Sequence, residues 1–293
     1  MSKVKIFSIY YSKENLFHGK PIKTDIIEPI QTGKAATGWD LGMLADDTGD
    51  NISIKNPYYG ELTCWYWVWK NWLPQHPECE YIGFTQYRRM LQLGEDRKRS
   101  VAGGYLKSVF QRTFEKICLS YNEQLVWETI TKYDYILPYK WQDCIANPCK
   151  RFCILENEEV YRIARDVMLR ERKENEKILF DNCMDVNEGH YKPAFVMRVT
   201  LFREFIEWVF DFCNALDCEL QLNKVELTPR VFAYCVEYFM NYWVFIKQYD
   251  SSVKIQKTFL YEARFYKKMF CDKVKLIDKK RKVSNKYNAL ISI

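Results

Sequence analysis

No stretch of the chain approaches the roughly 18–20 uncharged apolar residues needed to span a bilayer. Its start, Met-Ser-Lys-Val-Lys-Ile-Phe-Ser-Ile, enters a strand-like pattern without the apolar segment and cleavage site of a signal peptide. A cytoplasmic protein is therefore expected. Histidine is scarce, with only His18, His76 and His190 in 293 residues. That scarcity argues against zinc, as does the spacing of Cys144, Cys149 and Cys153, which lack matched Cys-x2-4-Cys pairs. Disulfides are disfavoured because the eleven cysteines are odd in number and nothing exports the chain, so reduced, mostly buried thiols are expected. Repeats and low-complexity tracts are missing as well. What is present is ample apolar material, 48% of the residues, enough to bury a large core.

Charge is unevenly placed. The net is +6, yet from Ser251 to Ile293 twelve Lys or Arg face only Glu262, Asp272 and Asp278, a local +9 that leaves −3 for residues 1–250. The expected division is a body over 1–250 and a basic tail over 251–293. From Thr258 to Lys282 the tail alternates Phe, Leu and Tyr with Lys and Arg, as an interfacial amphipathic helix would. An anionic inner-membrane surface suits such a tail, and a solvated helix is the plain alternative. Nucleic acid is disfavoured, since the charge is confined to the end and no recognition motif accompanies it.

Val4–Tyr11 is β-branched and aromatic and reads as a first, central strand. Ligands of open α/β sheets collect beyond the carboxyl ends of the strands. Tyr10, Tyr11 and Ser12 are thus candidates for nucleotide contact, against a reading in which the tyrosines only pack. Residues 15–55 lack periodicity and are punctuated by Pro21, Pro29, Gly33, Gly38, Gly42 and Gly49, which predicts a long functional loop. Asp46, Asp47 and Asp50 lie in it. Their run, Asp-Asp-Thr-Gly-Asp-Asn, lacks the rhythm and closing Glu of an EF-hand and reads alternatively as an Asx-rich turn before a helix. Asn56-Pro57 then caps a predicted helix from about Tyr58 to Leu73, with Trp65, Trp69 and Trp72 on one face.

Glu80–Tyr87 reads as a second strand that ends on Arg88-Arg89. Two guanidiniums there can grip a diphosphate by paired hydrogen bonds, or pair with surface acids. Arg97–Lys107, basic and glycine-containing, reads as a lid. Beyond it the pattern predicts a helix over Tyr121–Lys132, a strand over Tyr133–Pro138, a long charged helix over Glu156–Phe180 and a strand over Tyr191–Arg198. An amphipathic helix from Thr200 to about Leu216 and an aromatic one over Arg230–Ile246 follow. Arg230, Glu237 and Asn241 share a face of the last helix, as a functional polar stripe or a satisfied buried network.

Alternating strands and helices define an α/β chain. The wording of its motifs adds a resemblance: Leu-Gly-Met-Leu-Ala-Asp-Asp-Thr-Gly-Asp-Asn-Ile-Ser (Leu41–Ser53), Lys-Asn-Pro-Tyr-Tyr-Gly-Glu-Leu-Thr (Lys55–Thr63), Tyr-Trp-Val-Trp-Lys-Asn (Tyr66–Asn71), Tyr-Ile-Gly-Phe-Thr-Gln-Tyr-Arg-Arg (Tyr81–Arg89), Tyr-Asp-Tyr-Ile-Leu-Pro (Tyr133–Pro138) and Arg-Val-Phe-Ala-Tyr-Cys-Val-Glu (Arg230–Glu237). Over residues 3–247 or so the chain resembles the bacterial glycosyltransferase-like family filed as domain of unknown function 4422. Members of that family look like sugar transferases of capsule, exopolysaccharide and lipopolysaccharide O-chain synthesis, some using UDP-galactopyranose or UDP-galactofuranose. Two departures stand out. Gln86 occupies a position where the family usually has His, and Trp141–Leu155 carries three cysteines where the family tends to carry Tyr and His.

The resemblance implies a GT-A-like nucleotide-sugar transferase fold, a mostly parallel sheet flanked by helices, with a helical C-terminal tail. It implies transfer of galactose or galactofuranose from a UDP-sugar donor to a growing glycan or lipid-linked glycan. Enzymes of that fold commonly hold Mn2+ or Mg2+ against the diphosphate with Asp-x-Asp at a strand end, but here Tyr87-Arg88-Arg89 stands at that point. No metal ligand set is assigned, and Mn2+ or Mg2+ stays open as a cofactor. The expected donor-binding residues are Tyr10, Tyr11, Ser12, Asp46, Asn51, Arg88, Arg89 and Arg230. Arg88 and Arg89 would take over some or all of the metal's part, with Asp46, Asp47 and Asp50 closing on the sugar or supplying a metal ligand. For an inverting transfer the base that takes the acceptor's proton would be Asp50, Asp47 or Glu237. The competing class is a non-catalytic carbohydrate- or membrane-associated scaffold that kept the fold.

Overall fold

The computed structural model describes residues 2–94, 106–142, 152 and 157–264. The expected lid up to residue 105, Cys144, Cys149, Cys153 and the tail beyond Arg264 lie outside the described residues.

β1 (Val4–Tyr10) opens the chain as expected. The segment read as a structureless loop then contributes β2 (Ile27–Gln31), a short α1 (Lys34–Thr37) and β3 (Leu44–Ala45). Pro29 interrupts the strand pattern of β2, yet it pairs in register with Ser8 of β1. The single helix expected over Tyr58–Leu73 is in fact two, α2 (Asn56–Tyr59) and α3 (Leu62–Trp67), the latter continued by a wider π turn over Val68–Trp72. The break falls at Gly60, whose φ of 53° favours glycine, and a β-carbon there would come 3.1 Å from Arg230 Nε.

β4 (Tyr81–Gln86) turns directly into β5 (Arg89–Leu91). After β6 (Leu106–Phe110) come α4 (Gln111–Ser120), α5 (Glu123–Ile130), β7 (Tyr135–Pro138) and β8 (Trp141–Gln142). The charged helix expected over Glu156–Phe180 is divided into α6 (Glu158–Leu169) and α7 (Glu174–Met184). β9 (Glu188–Gly189), β10 (Phe195–Arg198), α8 (Val199–Leu222) and α9 (Val231–Tyr249) follow. β11 (Ile255–Thr258) and β12 (Leu260–Arg264) close the described chain. The helix expected from Thr258 therefore begins as a strand, because β12 lies between β5 and β6 and its backbone groups are taken by those neighbours.

The main sheet runs β11-β7-β10-β4-β1-β2-β3, and every neighbouring pair is parallel except those involving β10. Strand alternation sends side chains to two cores. Phe7 and Ile9 of β1, with Phe195 and Met197 of β10, join the core shared with α8 and α9, whereas Val4, Ile6 and Val196 join that of α4 and α5. A mixed α/β layer structure results, with a mostly parallel sheet between helices. Trp65 is fully buried on the first face against Phe84, Phe195 and Phe205, at ring distances of 5.7, 5.2 and 6.0 Å. Among the described residues no helix is long and apolar enough to cross a membrane. Cys64, Cys79, Cys118, Cys183, Cys213 and Cys235 are buried free thiols.

Candidate active site

Because β4, β1, β2 and β3 are parallel, their carboxyl ends share one edge of the sheet. That edge carries Gln86, Tyr10, Gln31 and Ala45 in turn. β10 runs the opposite way, with Phe195 opposite Phe84, so the segment entering it, residues 190–194, arrives at the same edge. α9 approaches from one face, with Arg230 at its start donating its backbone N–H to Pro57 O at 2.8 Å.

Arg88 and Arg89 stand at the end of β4, as expected. They differ in commitment. Arg89 donates from Nε to Glu262 Oε1 at 2.9 Å and from Nη1 to Gln86 Oε1 at 2.6 Å, and its side chain is 11% exposed. Arg88 is 28% exposed and reaches the same carboxylate oxygen only at 3.7 Å. Arg89 is therefore the more firmly held of the two guanidiniums, and Arg88 the more exposed. Burial pulls the Glu262 carboxyl up, but Arg89, Lys192 and Arg88 together outweigh it and hold the group below its ordinary value.

Lys192 belongs to this cluster although nothing local in the sequence marks it. Burial, then Arg89 and Arg88, lower its ammonium to about 8 against the opposing pull of Glu262 and Glu237. Glu237 on α9 thus lies within electrostatic reach of both Lys192 and Arg230. Arg230 adopts a left-handed backbone with φ of 62°, unusual for a bulky residue. Its guanidinium donates to Glu61 Oε2 at 2.7 Å and lies over the Tyr234 ring at 5.3 Å. The structure thus brings Arg88, Arg89, Glu237 and Arg230 together, with Lys192, Glu262 and Glu61 as partners that sequence reasoning missed.

The acidic loop behaves otherwise, and several expectations need correction. Asp46 is fully buried and accepts from Gly33 N at 2.8 Å, Lys34 N at 3.2 Å, Ser53 Oγ at 2.6 Å and Thr63 Oγ1 at 2.6 Å. It is a knot tying β2, α1 and α3, closed to any donor sugar. Asp46→Ala would leave four donors unmatched, an expected loss of about 3 kcal/mol or more, seen as a fall of about 6–12 °C in melting temperature. An unchanged melt would show the knot to be unimportant.

Asp50 is also drawn away from the strand ends. Its carboxylate accepts from Tyr66 OH at 3.0 Å, while Asn71 brackets its backbone, accepting from Asp50 N at 3.0 Å and donating to Asp50 O at 2.6 Å. Asn71 lies eight residues beyond Thr63, about 12 Å down the helix axis. The base role expected of Asp50 is therefore not supported by its position. Asn51 donates to Gly49 O at 3.0 Å. Asp47 pairs with Lys34 at 3.7 Å. From the end of β4 to the end of β3 is three strand spacings, about 14 Å, so the arginine pair and the acidic loop are not one cradle, as expected, but two stations along the edge. Among the described residues no three His, Cys, Asp or Glu side chains gather as a metal site would need. The aspartates proposed as ligands of Mn2+ or Mg2+ are committed elsewhere, so they do not fit that ion.

Between the stations stand the tyrosines. Tyr10 is buried, its hydroxyl accepts from Ile22 N at 3.0 Å, and burial pushes it up to about 12. Its expected nucleotide contact is corrected to a core role. Tyr11 is 46% exposed, and its ring meets that of Tyr87 at 5.7 Å with the two planes near perpendicular. Ser12 is half-buried and donates to Glu14 Oε2 at 2.9 Å.

Residues 11–248 match the family described as Domain of unknown function (DUF4422). The fold is similar to that of WbbM, a bifunctional glycosyltransferase in its apo structure, with a TM-score of 0.76 and 28% identity over 89% of this chain and 45% of that one. The chain thus spans a little under half of that solved relative's length. No curated protein matches the chain.

Proposed function

This chain belongs to the family described as Domain of unknown function (DUF4422), and on that premise we propose that it is a nucleotide-sugar-dependent glycosyltransferase. It moves a hexose, galactose or galactofuranose, from a UDP-sugar to a growing capsular, exopolysaccharide or lipopolysaccharide glycan, at the cytoplasmic face of an anionic membrane. The observation that carries this reading is the pair of guanidiniums at the carboxyl end of β4, one firmly held and one more exposed. Loss of UDP from a sugar concentrates negative charge on the diphosphate. Fixed cations there stabilise that charge without reorganisation, and guanidinium forks match the phosphate oxygens. Tyr11 offers a ring for the uracil base, Arg230 a second cation toward the donor sugar, and Glu237 the carboxylate that accepts the acceptor's proton. The basic tail supplies the attraction to the membrane surface on which a lipid-linked acceptor is carried.

A panel of nucleotide sugars in a thermal-shift assay tests the reading. At 100 times its Kd the right donor stabilises by about 2.7 kcal/mol, which raises the melting temperature by about 5–10 °C. The shift and the turnover persist in EDTA if arginines carry the diphosphate. Strict Mn2+ dependence would contradict the arginine-based mechanism, and a panel without any shift would favour the non-catalytic scaffold.

A further inference from the structure

We infer that a narrow cleft beside the end of β7 is a subsite for the acceptor glycan, in which His190 Nε2 accepts a hydrogen bond from a sugar hydroxyl. The inference rests on the transferase reading and deepens it. Its place follows from strand direction. β7 and β4 both run antiparallel to β10, so Pro138 at the end of β7 stands on the same carboxyl edge as Gln86. With β10 between them the two ends are two strand spacings apart, about 10 Å. A glycan whose last sugar meets the donor beyond β4 therefore reaches the cleft with the sugars behind it.

Three contacts fix His190 and leave one ring nitrogen over. Its backbone N donates to Asn241 Oδ1 at 2.6 Å, and its Nδ1 lies 2.8 Å from Pro138 O. Just before it, Glu188 and Gly189 are held as β9 against β8. A carbonyl can only accept, so Nδ1 carries the proton. Burial lowers the imidazole to about 3, so the ring is neutral and Nε2 is a lone-pair acceptor. His190 is 3% exposed, it lines the cleft, and among the described residues nothing donates to Nε2. A buried acceptor without a donor costs stability, and a ligand hydroxyl supplies one.

The rest of the lining points to the class of ligand. The cleft has a volume of about 260 Å³ with its open mouth, and its inner end has room for about one water-sized group, which suits a hydroxyl rather than a whole ring. The charges that line it, Lys140 and Glu188, are joined to each other at 2.7 Å, so neither is spare for a phosphate. Cys183 lines it too, but burial pushes its thiol up to about 11, and among the described residues no three side chains gather as metal ligands. Phe245 and the exposed Val186 offer apolar surface to the C–H groups of a sugar. An uncharged polyol matches this lining better than a nucleotide does.

Ligand-observed NMR titration of the full chain saturated with UDP reads the subsite, with a galactose tetrasaccharide and methyl galactoside as probes. The wild type is expected to bind the tetrasaccharide about 10-fold or more tightly than methyl galactoside. His190→Asn sets an amide N–H where Nδ1 stands, so it keeps the bond to Pro138 and removes only Nε2. It should weaken the tetrasaccharide about 3- to 10-fold and leave methyl galactoside and UDP as they were. Val186→Trp, made at the exposed mouth, should block the cleft by bulk with the same selectivity, and it decides the matter if His190→Asn does not fold. A histidine that only holds a water would lower the melting temperature in His190→Asn while the tetrasaccharide binds as before. That result, a tetrasaccharide that binds no better than methyl galactoside, or a Val186→Trp chain with wild-type affinity overturns the inference, and UDP binding then still supports the transferase reading. If the wild type binds no UDP, both fall.

Discussion

Arg88→Ala is expected to lower transfer by about 10³-fold or more, the range seen when a cation on a transferring phosphate group is removed, with the melting temperature nearly unchanged. The asymmetry of the pair is the reason. Arg88 is partly exposed and its carboxylate partner is 3.7 Å away, so little of the fold depends on it. Arg89 holds Glu262 and Gln86 together at the junction of β4, β5 and β12, and its removal would orphan both. Arg89→Ala is thus a poor probe, since it mixes stability with function. Lysine at position 88 restores charge but not the fork and should recover only part of the loss. Steady-state transfer measured beside a thermal melt separates these cases, and an Arg88→Ala enzyme with full turnover would remove the diphosphate from this site.

Glu237→Gln should lower kcat by about 10²–10⁴-fold while leaving UDP affinity within a few-fold. Of the three carboxylates that the sequence offered, this is the one the fold keeps beside the cationic cluster. Asp50 is fastened to Tyr66 and Asn71 well down α3, and Asp47 pairs with Lys34 beyond β3. Glu237 lies on α9 within electrostatic reach of Arg230 and Lys192, a turn away from the buried Asn241. Glutamine preserves shape and hydrogen bonding but cannot take a proton, so binding survives and chemistry does not. The comparison of kcat with the donor KM decides it, and an unaltered kcat would exclude Glu237 as the base.

The strands legible in the sequence were those whose chemistry is self-contained. β1 and β4 are mostly β-branched or aromatic, and α8 and α9 repeat their apolar residues at helical spacing. β2 was hidden by Pro29, because a central proline argues against a strand wherever the register is unknown. At the break, the need for glycine at position 60 is reinforced by Arg230 and Ala233, far along the chain, which would crowd a β-carbon there at 3.1 and 3.2 Å. The tail misled for a different reason. Alternating Leu, Tyr, Ala with charged residues serves a strand between two neighbours as well as it serves an interfacial helix, and β5 and β6 settle which.

In the site, the two adjacent arginines could be read from the chain because their chemistry is local. Glu262, which meets Arg89 across 173 residues, could not be, nor could Lys192, whose place depends on the direction of β10. Asp46 shows the opposite error. An acid in a glycine-bearing loop looks like a ligand, and its four buried donors come from residues that no spacing rule connects.

A sheet edge that holds a diphosphate rather than only a nucleoside shows itself in the ratio of UDP to uridine affinity. The wild type should prefer UDP by about 10²-fold or more, the worth of two charge-assisted contacts, and Arg88→Ala should bring the ratio most of the way to one while uridine itself binds as before. A ratio that Arg88→Ala leaves untouched would contradict the account.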